Sequence, residues 1–229
     1  MSDRKKLTFS NELAYIIGLI LLALGTVFME KTDFGMSMVV APAYLIYLKV
    51  SQTLTWFTFG MAEYSLQALI LIIMMLVVRK FKFSYFFSFI TAILYGVILD
   101  GFMWLFTLFA CEGWPMRILF YAIGMLLCSL GVSLLFHSYI SPEAYELFVK
   151  EISARFNFNI HKVKTVYDCT SLLVGVILSF TFFGLWHFEG VSLGTLFCAL
   201  VNGFLISRCT KFYEHFFVFE DKKNWRRFF

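Results

Sequence analysis

The chain has 229 residues, 60% of them hydrophobic and only 15% charged, with a formal net charge of +4. A soluble domain carries roughly 45–50% apolar and about 25% charged residues, so this composition excludes an ordinary water-soluble fold and describes one integral membrane domain. The basic residues sit at the ends of apolar runs and are not massed on one polar face, which excludes a nucleic-acid partner and leaves the lipid bilayer as the first partner.

Residues 1–11 form a polar start with Arg4, Lys5 and Lys6. The apolar run over 12–30 follows and superficially resembles a signal peptide. No small-residue cleavage site comes after it, and Glu30, Lys31 and Asp33 follow directly. It therefore reads as a retained first span. Within it Gly18, Ala23 and Gly25 recur at helical spacing, which lets a second backbone approach closely. The turn over 30–37 places Asp33, Gly35 and Ser37 together. An acid, a glycine and a hydroxyl suit a helix start that offers backbone N–H groups to an anion, although an ordinary capped connection is the plainer reading. Segment 34–51 is too broken to span. Its Pro42 suits a first helical turn.

Two more spans are expected over 54–78 and 84–109, then three over 116–137, 167–187 and 191–208, the last one short. Between the fourth and fifth lies segment 139–153, where Ser141 is placed to cap a helix begun by Pro142 and Glu143. Residues 209–229 form a basic, aromatic tail, ending in Lys222–Phe229, suited to anionic headgroups. A weak counterpart of the 30–37 turn, with Glu189 and Ser192, opens the sixth span.

The chain repeats itself. Residues 15–25 read YIIGLILLALG and residues 121–131 read YAIGMLLCSLG, which aligns Gly18 and Gly25 with Gly124 and Gly131. Pro42 and Pro142 follow, and later Asp100-Gly101-Phe102 and Asn202-Gly203-Phe204. Repeat 1 is residues 12–110 and repeat 2 is residues 116–208. Three spans per repeat make the second copy upside down, the inverted topology from which alternating-access sites are built. The charge pattern agrees independently. Of nineteen Lys and Arg, a six-span layout puts all but Lys31, Lys49 and Arg117 on one side. The positive-inside rule then makes both termini cytoplasmic in a bacterial inner membrane. Trp56, Trp114 and Trp186 fall at the outer interface. The expected fold is all-α: six transmembrane helices in two inverted three-helix repeats, each with a short interfacial or re-entrant helix from 34–51 or 139–153.

Ionisable residues inside spans are costly and are the first functional candidates. Glu63 lies in the second span with no basic residue near it. Asp100 lies in the outer part of the third. Asp168 begins the fifth as a helix N-terminal acid, and Asn202 lies in the inner part of the sixth. The repeat relates Glu63-Tyr64 to Tyr167-Asp168, and Asp100 to Asn202. This predicts two polar pairs, one toward each face, lining a path. The plainer reading makes each a cap or interhelical glue.

The five cysteines lack C-x-x-C spacing, the four histidines form no ligand motif, and no P-loop, nucleophile elbow or dinucleotide fingerprint is present. No catalytic residue, metal or cofactor is expected.

A glycine-rich first span, the turn TDFGMSMVVAPAYLIYL and a second copy ending in NGF resemble the YitT/YczE-like bacterial integral membrane proteins over about residues 12–210. Met36-Ser37-Met38-Val39 stands where that pattern carries a Pro-Trp-Asp-like group. The resemblance implies a multipass inner-membrane protein and supplies no substrate. The leading expectation is a small transporter or permease for a small solute, cationic or proton-coupled. The alternatives are a substrate-capturing subunit of a larger transporter or a non-transporting accessory or assembly protein, and the expected protein partner is a second copy in a homo-oligomer or a partner transporter subunit.

Overall fold

The structure, a computed structural model, describes residues 7–109, 111, 113–184 and 190–220. The basic residues Arg4, Lys5 and Lys6, Trp186, Glu189 and the tail Lys222–Phe229 lie outside the described residues. In chain order the elements are β1 (Leu7–Ser10), α1 (Asn11–Glu30), α2 (Ala41–Val50), α3 (Phe59–Val78), α4 (Ser84–Leu105), α5 (Trp114–His137), α6 (Ala144–Phe156), α7 (Ile160–Phe183), α8 (Leu193–Phe216) and β2 (Phe217–Glu220). Helices α1, α3, α4, α5, α7 and α8 are each long and apolar enough to cross a membrane. The protein is an all-α multipass membrane protein, as the composition implies.

The boundaries differ most from the sequence expectation in three places. α3 begins at Phe59, not 54, because Thr58 caps it by accepting from the Met61 amide. α7 begins at Ile160, seven residues early, so its first two turns are polar. α8 is not short: it runs through Arg208 and Lys211 to Phe216. Hydropathy marks where charge begins, whereas a helix continues as long as its backbone bonds are satisfied.

α1 and α5 form the centre of the bundle and run antiparallel. Their glycines face each other across the seam, Gly18 against Gly131 and Gly25 against Gly124. A methyl group at Gly25 would sit 2.6 Å from the Gly124 carbonyl oxygen, and one at Gly131 would sit 2.7 Å from the Gly18 carbonyl. The two Gly-x6-Gly stripes of the repeat are thus one interface in which the backbones touch.

The remaining packing echoes the repeat. α1 lies on α4 as α5 lies on α8, and α2 crosses to α7 as α6 crosses to α3. Each short helix therefore leans on the long helix of the other half. One relationship is not matched. α3 and α4 pack tightly, through Gly60 and Gly96, whereas their counterparts α7 and α8 hardly touch.

β1 and β2 pair in parallel, Leu7 opposite Phe217 through Ser10 opposite Glu220. This unforeseen pairing places the entry to α1 and the exit from α8 at the same end of the bundle. Lys82 and Glu151 meet at 2.7 Å outside the start of α4. At the other end Arg117 meets Asp33 at 2.7 Å and Lys49 reaches the Phe182 carbonyl at 3.4 Å. The three basic residues set apart by the sequence thus gather at one end.

Both short helices are re-entrant. α6 begins beside Gln67 and Thr91, which lie roughly 12 and 10 Å into α3 and α4 at about 1.5 Å per residue, and ends near Lys82. α2 begins beside Gly175 of α7 and runs out in the opposite direction to Lys49. Met38 and Val39, just before α2, share one buried cluster with Tyr145 of α6. The two half-helices start next to each other in the middle of the bundle.

Candidate functional site

Irregular backbone at membrane depth survives only where protein satisfies its polar groups. The chain entering α6 meets that condition through α4 and α1. Ser88 Oγ donates to the Pro142 carbonyl at 2.6 Å, and Thr91 Oγ1 donates to the Ser141 carbonyl at 3.0 Å. The Tyr15 hydroxyl bonds Thr91 at 2.8 Å, and a turn above Tyr95 bonds Thr26 at 2.9 Å. Ser141 contributes its carbonyl here and is not the N-cap. The N-cap is Glu143, whose side chain makes no capping bond.

Two acids meet at this point. Glu63 is wholly buried in the second turn of α3. Its Oε2 accepts from the Tyr145 hydroxyl at 2.6 Å and has the Gln67 amide at a long 3.5 Å. Its Oε1 has no partner among the described residues. Gln67, one helical turn on and also wholly buried, accepts from the Ala144 amide at 3.1 Å through its own oxygen. Glu143 is buried, and its Oε1 is likewise unpartnered. Burial raises the Glu143 carboxyl well above the usual carboxylate range, and the charge of nearby Glu63 raises it further. Among the described residues neither carboxylate forms an ion pair with a lysine or arginine, although the charge of Lys164 acts on Glu143 from a distance. Two such groups in a dry interior cannot both stay ionised unless a cation lies with them.

A cavity of about 770 Å³ lies beside the cluster, between α2, α3, α6 and α7. Its wall is mainly aliphatic, with Tyr145, Tyr167, Thr170 and Ser171 inside and Asn157, Asn159 and Lys162 at one end. Tyr145 belongs to both features: its ring lines the cavity while its hydroxyl holds Glu63.

The other expected path residues are elsewhere. Asp100 does not share a site with Glu63. Its Oδ1 accepts from the Gly60 amide at 2.7 Å and its Oδ2 from Thr58 Oγ1 at 2.6 Å, so it caps α3 from α4. Tyr64 is half-buried in the seam of these two helices, against Gly96. Asp168 does not begin its span. It lies in the third turn of α7 and pairs with Lys164 at 3.1 Å, which also holds Glu146 at 3.0 Å. Asn202 accepts from Ser129 at 3.1 Å and ties α8 to α5. Of the expected set, only Glu63 and Tyr167 border the cluster and its cavity. In place of two pseudo-symmetric polar pairs there is a single acidic cluster, with Glu63 from one repeat and Glu143 from the other.

The turn residues serve as connectors. Asp33 is exposed, holds a left-handed φ of 54° and pairs with Arg117. Ser37 accepts the Val40 and Ala41 amides through its carbonyl, starting α2. Ser192 donates to the Phe34 carbonyl and forms a capping box with Thr195 on α8. Among the described residues no group of three His, Cys, Asp or Glu is placed to hold a metal.

Gln67, Glu143 and Tyr145 were not singled out by sequence. Gln67 carried a usable signal, since it is a polar residue four positions from Glu63 in an otherwise apolar span. Glu143 and Tyr145 carried none, because their depth depends on α6 being re-entrant.

No curated protein and no solved structure matches this chain. A profile for a family of unknown function, DUF6198, matches residues 9–211, which includes every spanning helix except the last turn of α8. The chain belongs to this family.

Proposed function

We propose that the protein is a small transporter or permease, with a proton or small-cation site at Glu63, Glu143, Gln67 and Tyr145. The observation that carries this reading is the pair of buried carboxylates with unpartnered oxygens at the mid-membrane start of a re-entrant helix. A purely structural bundle gains nothing from burying two acids with unsatisfied oxygens, because each costs several kcal/mol unless neutralised. Broken helices starting at the bilayer midplane are also the way many transporters build their ion sites. Flux in proteoliposomes under a pH gradient tests it: Glu63→Gln abolishes gradient-driven flux while the protein stays folded. Unchanged flux in that variant removes Glu63 from the mechanism.

A second reading, a substrate-capturing subunit or homo-oligomer, draws on α7 and α8, which hardly touch each other and expose most of their surface. Co-purification of an energising partner favours it, and a self-sufficient single particle disfavours it. The kinship to YitT/YczE-like proteins and a bacterial inner-membrane location belong to the same proposal, as do cytoplasmic termini. In a cysteine-free background, an impermeant maleimide on intact cells then labels Thr53→Cys and spares Lys80→Cys.

A further inference from the structure

We infer that the cavity between α3, α6 and α7 binds a single-chain amphiphile with an anionic head, entering from the leaflet on the Lys162 side. As the transported substrate it rests on the transport reading; as a bound ligand it does not.

The cavity's shape and chemistry run together along its length. Its aliphatic wall is built by Leu66, Ile70 and Ile73 of α3 facing Val163, Val166 and Val174 of α7. Ile70, Ile73, Val163 and Val166 lie in the half of their helix nearer the Lys82 end, the half that one leaflet would bathe, and Leu66 and Val174 lie just past the middle. α3 and α7 do not pack on each other there, so the space between them is open to acyl chains. The apolar wall offers almost no hydrogen bonds and is unsuited to a hydrated small ion.

Apart from the hydroxyls of Thr170 and Ser171, the polar groups lie at the two ends. At the deep end are Tyr145 and Tyr167. At the mouth are Asn157, Asn159 and Lys162, all exposed. Lys164, two residues on, is neutralised by Glu146 and Asp168. Lys162 has no ion-pair partner among the described residues, so the mouth carries one uncompensated positive charge. A carboxylate there would gain that charge, while its tail fills the aliphatic wall.

Size selects among amphiphiles. At about 30 Å³ per water-sized group, 770 Å³ holds about 25 heavy atoms. That is one long chain with a compact head, and it is too little for a two-chain phospholipid. The volume is within the roughly 300–1,000 Å³ range of small-molecule sites.

Tyr145 then acquires a role. A tail reaching the deep end presses on the ring whose hydroxyl holds Glu63. Ligand occupancy and the state of the acidic cluster are linked through one side chain.

The test is binding of radiolabelled palmitate to the detergent-solubilised full chain, measured without any gradient. Saturable binding is expected. Val166→Trp, at an exposed position lining the cavity, abolishes it, whereas Val97→Trp on the exposed face of α4 does not. Lys162→Glu weakens it by about fivefold, the worth of one partly exposed ion pair. Dodecylamine does not compete. Val166→Trp that melts like wild type yet binds palmitate normally overturns the site. An unchanged affinity in Lys162→Glu overturns the anionic head, and preferential displacement by phosphatidylglycerol overturns the single chain in favour of a resident lipid. Glu63 does not line the cavity, so Glu63→Gln still binds palmitate saturably in this assay, with an affinity shifted through the Tyr145 link. Absent palmitate binding alongside Glu63-dependent flux therefore sinks this inference and leaves the transport reading standing, and the reverse result does the opposite.

Discussion

The Tyr145 hydroxyl donates to Glu63 Oε2 at 2.6 Å across 82 positions of chain. It is the shortest bond to either buried acid and joins a re-entrant helix to a spanning one. Tyr145→Phe strips Glu63 of its one close donor among the described residues and leaves a buried acceptor unmet, at a cost of about 1–3 kcal/mol. Glu63→Gln keeps a carbonyl for that hydroxyl and removes the charge. Thermal unfolding in detergent should show a clear loss for Tyr145→Phe and little change for Glu63→Gln. The opposite ranking would mean that the carboxylate itself holds the fold together.

The glycine seam makes a prediction about space. Gly25→Ala pushes a methyl group to 2.6 Å from the Gly124 carbonyl and 2.7 Å from the Cys128 amide nitrogen, both backbone atoms that cannot rotate away. The expected cost is about 1–3 kcal/mol from overpacking. Gly101→Ala meets nothing within 4 Å, and in a helix it should be neutral or stabilising by up to about 1 kcal/mol. Melting temperatures of the two variants should move in opposite directions, or one should fall while the other stays.

Asp100 offers a contrast with Glu63. Both of its oxygens are spent on the start of α3. Asp100→Ala should cost about 1–2 kcal/mol, the usual worth of a lost helix cap, and Thr58→Ala should cost part of the same amount. In a flux assay on the folded fraction, Asp100→Ala should leave the apparent affinity for solute unchanged. A selective change in that affinity would return Asp100 to the path.

Glu143 gives the pH prediction. Its carboxyl is raised by burial and by Glu63, so the folded protein still holds that proton where the unfolded chain has released it. Stability contributed by this group is full at acid pH. It falls as pH rises above the ordinary carboxyl range, near about 4.3, until the raised folded value is passed, by about 1.4 kcal/mol per unit. Glu143→Gln removes the titration. Melting curves across that range should therefore slope less steeply in the variant, and identical slopes would show that Glu143 is not held neutral.

Composition, periodicity and charge determined the membrane class, the six apolar helices and the end at which Lys31, Lys49 and Arg117 gather, because each is a local property summed along the chain. The glycine repeat was legible for the same reason, and its two copies meet as one seam between α1 and α5. The location of the acids was not legible. Asp100 and Glu63 look alike in sequence, as single acids in apolar spans. One meets an amide and a hydroxyl at a helix start, and the other meets a tyrosine from a distant segment. That difference arises only when α6 folds back to the depth of Gln67 and Thr91. Only tertiary packing decides which buried charges are satisfied, because the energy of a polar group in a dry interior depends on the partners the fold brings to it.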